Sequence, residues 1–382
     1  MFTYGMVGGD TSAFIGSVHR RAIGYDGRAK LTCGVFSNIY EDNINSAKAY
    51  FVDSDRVYAD FREMAKIESE RPDGIDFVVV ACPNFLHYPV CMEFINAGIS
   101  VVCEKPLCIT AQEGEEIERK LKESDVSFAV MFTYTGYGAV KMARKIVRSG
   151  KLGKIMSFKG EYAQDWVLKC MNRGKEGISS WRFDPDRSGS SLCVADIGTH
   201  LNDICSYITG FKTKKVLART YNAKLKLDVQ ADVFVETEEG VDGSFWCSQI
   251  ASGRKNSLKV SIYGEEGAIE WDQENPDLLK YSPVYGADVI LRVSGIYEED
   301  FQIDKKFAPL PEGHPHGFHD AFANIYKEFL DELELKKFGK VSGKNPKKTE
   351  FDFPGANRGL EGMKFIKAVT ESAGRGSVWV DL

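Results

Sequence analysis

Short apolar runs recur through the first third of the chain, each closed by glycine, proline or an acid and followed by apolar positions three and four apart. Phe2–Val7, Leu31–Phe36, Asp76–Ala81, Val101–Cys103 and Ser127–Phe132 are these runs, rich in β-branched residues and without polar alternation. Such runs predict strands buried on both faces, and their alternation with helical patterns such as Ser17–Ile23 predicts a doubly wound parallel sheet. Beyond residue 132 the pattern changes. Ile155–Tyr162, Lys215–Tyr221, Asp232–Glu238, Val241–Gln249, Ser257–Tyr263 and Gly267–Trp271 have strand character, with glycine or acidic turns between several of them. They predict a largely antiparallel sheet with one open face. Lys141–Ser149, Asp196–Ile208, Phe318–Leu333 and Gly359–Thr370 carry helical patterns. The expected fold class is therefore α/β, a doubly wound parallel sheet followed by an α+β domain, and 382 residues suit two cores.

Composition narrows the function classes. A formal net charge of -6, without a basic face, argues against a nucleic-acid partner. The lysine-rich stretch from Lys336 to Lys348 is broken by glycine and proline and reads as a solvated loop. No stretch is long and apolar enough to span a membrane. Nine scattered cysteines without a C-x-x-C pair fit reduced thiols in a cytoplasm. The first strand and its glycine turn begin by Gly5, so a secretory leader is not expected.

The first strand runs into Gly8-Gly9-Asp10-Thr11-Ser12-Ala13-Phe14-Ile15-Gly16 and then a helix. Strand, glycine turn and helix in this order suit a dinucleotide, because glycines admit the pyrophosphate and the helix start offers free amides. Asp10 stands where a simple G-x-G-x-x-G has glycine, so the loop is longer than that fingerprint. The second strand ends in Ser37-Asn38, where an acid often holds a ribose hydroxyl. No acid appears before Glu41, so these residues leave the choice between NAD and NADP open. Residues 1–131 are read as the Rossmann dinucleotide-binding domain and 132–382 as the substrate-binding and oligomerisation domain.

Pro106 ends the strand Val101–Cys103, and Glu104 and Lys105 emerge at its carboxyl end, where open parallel sheets bind ligands. Asp196 and His200 lie four apart on a helical pattern, so they share a face, and a carboxylate beside an imidazole can pass a proton to or from an alcohol. In isolation that spacing better suits a helix-start acid and a satisfied core histidine. Tyr134, Tyr137, Gln164, Trp166, Trp181 and Arg182 are candidate substrate contacts, aromatic faces stacking on a sugar while amide and guanidinium groups read hydroxyls. His314-Pro315-His316-x-x-His319 lacks a zinc spacing, and no metal is expected.

Gly5-Met-Val-Gly8, Gly16-Ser-Val-His19, Pro83-Asn84-x-x-His87, Glu104-Lys105-Pro106 and Asp196-Ile-Gly-Thr-His200, in this order, resemble the Gfo/Idh/MocA family of NAD(P)-dependent sugar and inositol oxidoreductases. Phe14-Ile15-Gly16 with His19-Arg20, Tyr134-Thr-Gly-Tyr137, Trp181-Arg182 and His314-Pro315 resemble its branch of glycoside and anhydrosugar dehydrogenases. Asp10 and Ser12 depart from the glycines usual in that branch. The resemblance implies cofactor contacts at Gly8, Gly9, Phe14, Ile15, Gly16, Ser37, Asn38, Cys82, Pro83, Asn84, His87, Glu104 and Lys105, with Glu104 on ribose or nicotinamide. It implies a catalytic set of Lys105, His200 and Asp196, the last two also touching substrate. The expected reaction oxidises a secondary ring hydroxyl, favoured at C3 of a glycoside or pyranose, by hydride transfer. An inositol dehydrogenase, an NAD-dependent glycosidase working through transient oxidation, and a non-catalytic sugar or dinucleotide sensor are the competing readings. Lys105, Asp196 and His200 together count against the sensor. The expected assembly is a homo-oligomer joined through the open sheet face.

Overall fold

The computed structural model describes residues 1–339 and 350–382. Backbone contacts divide the chain into two compact units, Met1–Thr133 with Phe322–Leu360, and Tyr134–Ala321 with Glu361–Leu382. The first unit holds a parallel sheet of β1 (Phe2–Gly8), β2 (Ala29–Val35), β3 (Phe77–Ala81), β4 (Ser100–Cys103) and β5 (Phe128–Val130), in the order β2-β1-β3-β4-β5. Phe77, Val78, Val79, Val80, Val101, Val102 and Cys103 are fully buried, which is why the central runs show no alternation. Each such side chain contributes about 1.5–3 kcal/mol by leaving water.

The order reverses at β1 and β3, the switch point at which open sheets bind ligands beyond the carboxyl ends of their strands. Gly8 ends β1 there with φ 82°, and a Cβ on it would lie 2.5 Å from the carbonyl oxygen of Ala81 at the end of β3. The following helix spans Phe14–Ile23 and begins earlier than the Ser17 start read from the pattern. A Cβ on Gly16 would lie 2.4 Å from Gly9 Cα, so only glycine lets this helix close on its own turn.

The division at residue 131 places all later residues in the second domain, but the structure returns Phe322–Leu360 to the first unit. Aromatic packing explains the return. Phe77 stacks on Tyr4 at 5.3 Å and meets Phe329 edge-on at 5.4 Å, while Arg28 pairs with Asp331 and Glu334 at 2.7 and 2.9 Å.

The second unit holds a nine-stranded sheet in the order β13-β12-β11-β10-β6-β9-β8-β7-β14. Its strands are β6 (Ile155–Ala163), β7 (Thr213–Tyr221), β8 (Gln230–Thr237), β9 (Asp242–Ser248), β10 (Ser257–Gly264), β11 (Gly267–Asp272), β12 (Leu278–Pro283), β13 (Val289–Arg292) and β14 (Val380–Asp381). β6 and β9 run parallel and the other neighbours antiparallel. Val216, Val233, Phe245, Val260 and Ile269 face the buried side, while Arg219, Asp232, Phe234, Lys259 and Glu270 alternate onto an exposed face. The sequence pattern did not mark β12, β13 or β14. β12 and β13 lie at the sheet's edge, where Val289, Ile290 and Arg292 are exposed, and β14 is two residues long.

Lys336 and Lys337 belong to the helix Phe318–Phe338 rather than to a loop. They are held there by Glu332 at 3.5 Å and Asp76 at 2.6 Å. The rest of that lysine-rich stretch past residue 339 lies outside the described residues. Among the described residues no helix is long and apolar enough to cross a membrane, and all nine cysteines are free thiols.

Replacing Gly8 with alanine forces a side chain into both a left-handed conformation and the Ala81 carbonyl. Gly8→Ala is expected to lower the unfolding free energy by about 2 kcal/mol or more, read from urea denaturation. Unchanged stability would show that the strand end yields freely.

Candidate active site

In the first unit the chain leaves β4 with the Glu104 amide still donating to the Val80 carbonyl at 3.0 Å, and then passes through a cis Lys105–Pro106 peptide. Glu104 is 8% exposed, so its carboxylate needs partners. Its Oε1 accepts from His19 Nε2 at 2.8 Å, and its Oε2 accepts the Lys105 amide at 3.2 Å. His19 Nδ1 in turn accepts the Tyr326 hydroxyl at 2.6 Å. The structure thus engages Glu104 as the anchor of the turn that presents Lys105, which is half-buried.

His87 is 1% exposed, with Nδ1 2.7 Å from the Pro106 carbonyl and Nε2 2.9 Å from the Cys82 carbonyl. Burial holds its pKa below the usual histidine range, with the two carbonyls pulling the other way. As a neutral imidazole it donates its single N–H to one of these two carbonyls and lies in contact with the other. Cys82, Pro83 and Asn84, partly exposed, form the turn above it.

The glycine turn fits a pyrophosphate. Gly8 and Gly9 have φ of 82° and 74°, and Ala13 at the helix start supplies no side-chain cap, so the first amides of Phe14–Ile23 are available to an anion. Asp10 folds back instead onto Ser12, whose amide and hydroxyl it accepts at 2.8 and 2.6 Å. Gly9 is braced through its carbonyl, which accepts from Arg20 at 2.9 Å and Tyr50 at 3.1 Å, and the Arg20 guanidinium lies 3.6 Å over the Tyr50 ring. Arg20 is therefore committed to the turn. Phe14 is exposed and Ile15 half-buried; at the end of β2, Ser37 caps the Ile39 amide and Asn38 is exposed.

In the second unit Asp196 lies in a π-helical turn, Val194–Gly198, and His200 in the first turn of the α-helix Thr199–Thr209. The sequence pattern predicts one continuous helix, whereas the wider turn changes the angle between the two side chains; such turns frequently occur at functional sites. The segment is anchored by Asp228, whose two carboxylate oxygens each accept at 2.9 Å, one from the Leu192 amide and one from that of Val194. Burial pushes the Asp228 carboxyl up, and these bonds oppose the shift. Asp196 Oδ2 accepts from Gln249 Nε2 at 2.6 Å, and His200 meets the edge of Tyr134 at 4.7 Å and Tyr162 at 6.1 Å.

Tyr137 stacks on Tyr134 at 6.2 Å, and Gln164 donates to Asn256 at 2.7 Å. These two candidates therefore join the His200 group. Trp166 packs on Phe183 at 5.9 Å beside Val167 and Leu192, which makes it part of a small apolar core. Arg182 lies 4.5 Å over the Trp181 ring on an outer turn, Trp181–Phe183. His316 is held by Asp277 at 3.2 Å and His314 by the Pro311 carbonyl at 3.1 Å; among the described residues no three side chains gather as a metal site. Gln249, Asn256, Tyr162, Asp228 and His19 were not singled out as site residues from the sequence. Partners such as Asp196 for Gln249, Glu104 for His19, Tyr134 for Asn256 and Val194 for Asp228 lie 53, 85, 122 and 34 positions away, so no local spacing reveals them.

A parallel sheet with a phosphate-ready glycine turn at its switch point and a lysine at a strand's carboxyl end are the features of a dinucleotide-dependent oxidoreductase. Residues 2–132 match the oxidoreductase family model for the NAD-binding Rossmann fold, and residues 140–270 match the GFO/IDH/MocA C-terminal domain. The chain is 30% identical to the uncharacterized oxidoreductase YfiI of Bacillus subtilis (strain 168), over 99% of this chain and 96% of that one. It belongs to the Gfo/Idh/MocA oxidoreductase family and binds NAD through its Rossmann fold. A levoglucosan dehydrogenase of Pseudarthrobacter phenanthrenivorans is 30% identical over 55% of this chain and 58% of its own. The crystal structure of an inositol dehydrogenase homolog from Azotobacter vinelandii, complexed with NAD+, aligns with a TM-score of 0.91 at 28% identity, over 100% of this chain and 97% of that one.

The lowered pKa of His87 makes stability pH-dependent. Because the folded-state value lies below the unfolded value near 6.5, this contribution is fully present above about pH 6.5 and is lost as the pH falls below it. Unfolding free energies measured between pH 7.5 and 5 are expected to fall less steeply for His87→Gln than for the parent, by up to about 1.4 kcal/mol per pH unit. Parallel profiles would contradict a neutral buried His87.

Proposed function

We propose that the chain oxidises a secondary ring hydroxyl of a glycoside or pyranose, at C3, to the ketone. The observation that carries this reading is the buried His200, one turn from the half-buried Asp196 and beside groups suited to a sugar: aromatic rings of Tyr134 and Tyr137 for its C–H surface and the Gln164 amide for its hydroxyls. The Gly8, Gly9 and Gly16 turn would hold the pyrophosphate of NAD. Bound NAD supplies a two-electron hydride acceptor, which is chemistry no side chain offers. The alcohol's O–H proton passes to Lys105 Nζ or to the His200 imidazole. Asp196 stabilises the imidazolium when His200 takes the proton, and Gln249 restrains Asp196. Glu104 fixes the turn from which Lys105 projects.

A second reading, oxidation of an inositol ring, is favoured by the full-length similarity to the inositol dehydrogenase homolog. The same residues serve a ring without an anomeric group. We further propose a homo-oligomer joined through the exposed sheet face, and a cytoplasmic setting consistent with nine free thiols.

Purified protein incubated with NAD or NADP and a panel of methyl glycosides, free hexoses and inositols tests both readings. A glycoside product two hydrogens lighter, with one NAD reduced and the ketone at C3, is the expected result. An inositol product transfers the case to the second reading, and aglycone release without net NAD reduction overturns both. Lys105→Ala and His200→Asn are each expected to lower kcat by about 10^2–10^4-fold while dinucleotide binding, followed by fluorescence, stays within about threefold. The larger loss identifies the proximal base.

A further inference from the structure

Tyr134 was expected to offer its aromatic face to substrate, which leaves open what its hydroxyl does. Its hydrogen bonds show that hydroxyl already engaged. Tyr134 and Tyr162 are 4% and 3% exposed, and their hydroxyls hydrogen-bond directly to one another. The Tyr162 hydroxyl also donates to Asn256 Oδ1 at 2.7 Å, and Asn256 Nδ2 donates to the Tyr134 oxygen at 3.2 Å. A tyrosine has one hydroxyl proton. Since that of Tyr162 goes to Asn256, the proton in the tyrosine pair comes from Tyr134, and the three side chains close a ring in which every donor points the same way round. Gln164 Nε2 adds a bond to Asn256 Oδ1 at 2.7 Å from outside the ring. While the ring is closed Tyr134 has no proton to give a ligand, and burial pushes both phenols above their ordinary range, so neither serves as a base.

What the ring does present is two aromatic walls. The Tyr134 ring meets the His200 imidazole at 4.7 Å and 82°, and the Tyr162 ring meets it at 6.1 Å and 52°. Two walls at different inclinations restrict imidazole rotation, which a single face would leave open. The hydroxyl–amide ring pins both phenol oxygens, so neither tyrosine swings about its Cα–Cβ bond, carrying its wall away from the imidazole, without breaking two hydrogen bonds. Two buried hydroxyls and an amide are costly to leave unmatched, so the arrangement is held to one geometry.

We propose that Tyr162 and Asn256, closed into a hydrogen-bonded ring with Tyr134, are positioning residues that fix the orientation of the His200 imidazole for proton transfer. The proposal rests on the reading of His200 as a proton-handling group. It assigns no contact with substrate to Tyr162 or Asn256. Tyr162→Phe removes the hydroxyl and keeps the wall, so it separates orientation from packing.

The test uses the full chain labelled at its imidazole carbons, with the His200 resonance assigned among the six histidines by its loss in His200→Asn. In Tyr162→Phe without any substrate, that resonance is expected to shift or broaden while those of His314 and His319 stay in place. With the substrate found from the panel, kcat is expected to fall about 10–100-fold with KM within threefold, and the urea midpoint is expected to stay near that of the parent. An unmoved His200 resonance, or a loss of kcat matched by global unfolding, overturns the proposal. If Tyr162→Phe does not fold, Asn256→Ala opens the ring from its half-buried member and is read in the same way. The resonance is measured without turnover, so it decides the orientation claim even if every compound on the panel is refused; wild-type activity in His200→Asn would instead overturn the reading on which the claim rests.

Discussion

A buried carboxylate constrains the first unit more than any other group. Glu104 lies where a strand must give way to a turn, and an acid at 8% exposure is tolerated only when its oxygens are matched. His19, from the helix after the glycine turn, matches one oxygen, and the backbone of Lys105 matches the other. Tyr326, about 300 residues further along the chain, completes His19, their separation being 307 positions. One charge thereby ties the glycine-turn helix, the carboxyl end of β4 and a late helical segment to a common point. The placement of Lys105 follows from satisfying its neighbour.

The second unit solves a similar problem with different groups. Asp228 holds the start of the segment that carries Asp196 and His200, Gln249 holds Asp196, and the rings of Tyr134 and Tyr162 lie against His200. In both units the residue proposed to take the proton is held by a polar group with no catalytic signature of its own. Such groups are costly to bury and strict about geometry, which suits them to hold a reactive side chain in one orientation.

The strands of the parallel sheet, the glycine turn, the Glu104-Lys105-Pro106 turn and the open antiparallel sheet were legible in the sequence, because each rests on local composition. Uninterrupted β-branched runs such as Val78–Val80 have no stable place except between two covered faces, and alternation such as Asp232, Val233, Phe234, Val235 describes a sheet wet on one side. The edge strand β13 and its neighbour β12 were not legible, since half-exposed strands there impose no pattern. The return of Phe322–Leu360 to the first unit was hidden too, because sequence order carries no record of which core a late helix joins.

The sequence by itself determined the family, the two kinds of sheet and the residues with chemical capacity, since those depend on residue type and near spacing. Tertiary structure alone decided what the capable residues are engaged in. It turned Glu104 into a brace, buried His87 against two carbonyls, placed Trp166 in an apolar core, committed the Tyr134 hydroxyl to Tyr162 and brought Gln249 to Asp196. The physical reason is that a hydrogen bond reaches only about 3 Å. Whether two groups separated by tens or hundreds of residues come within that distance is set by how the chain packs.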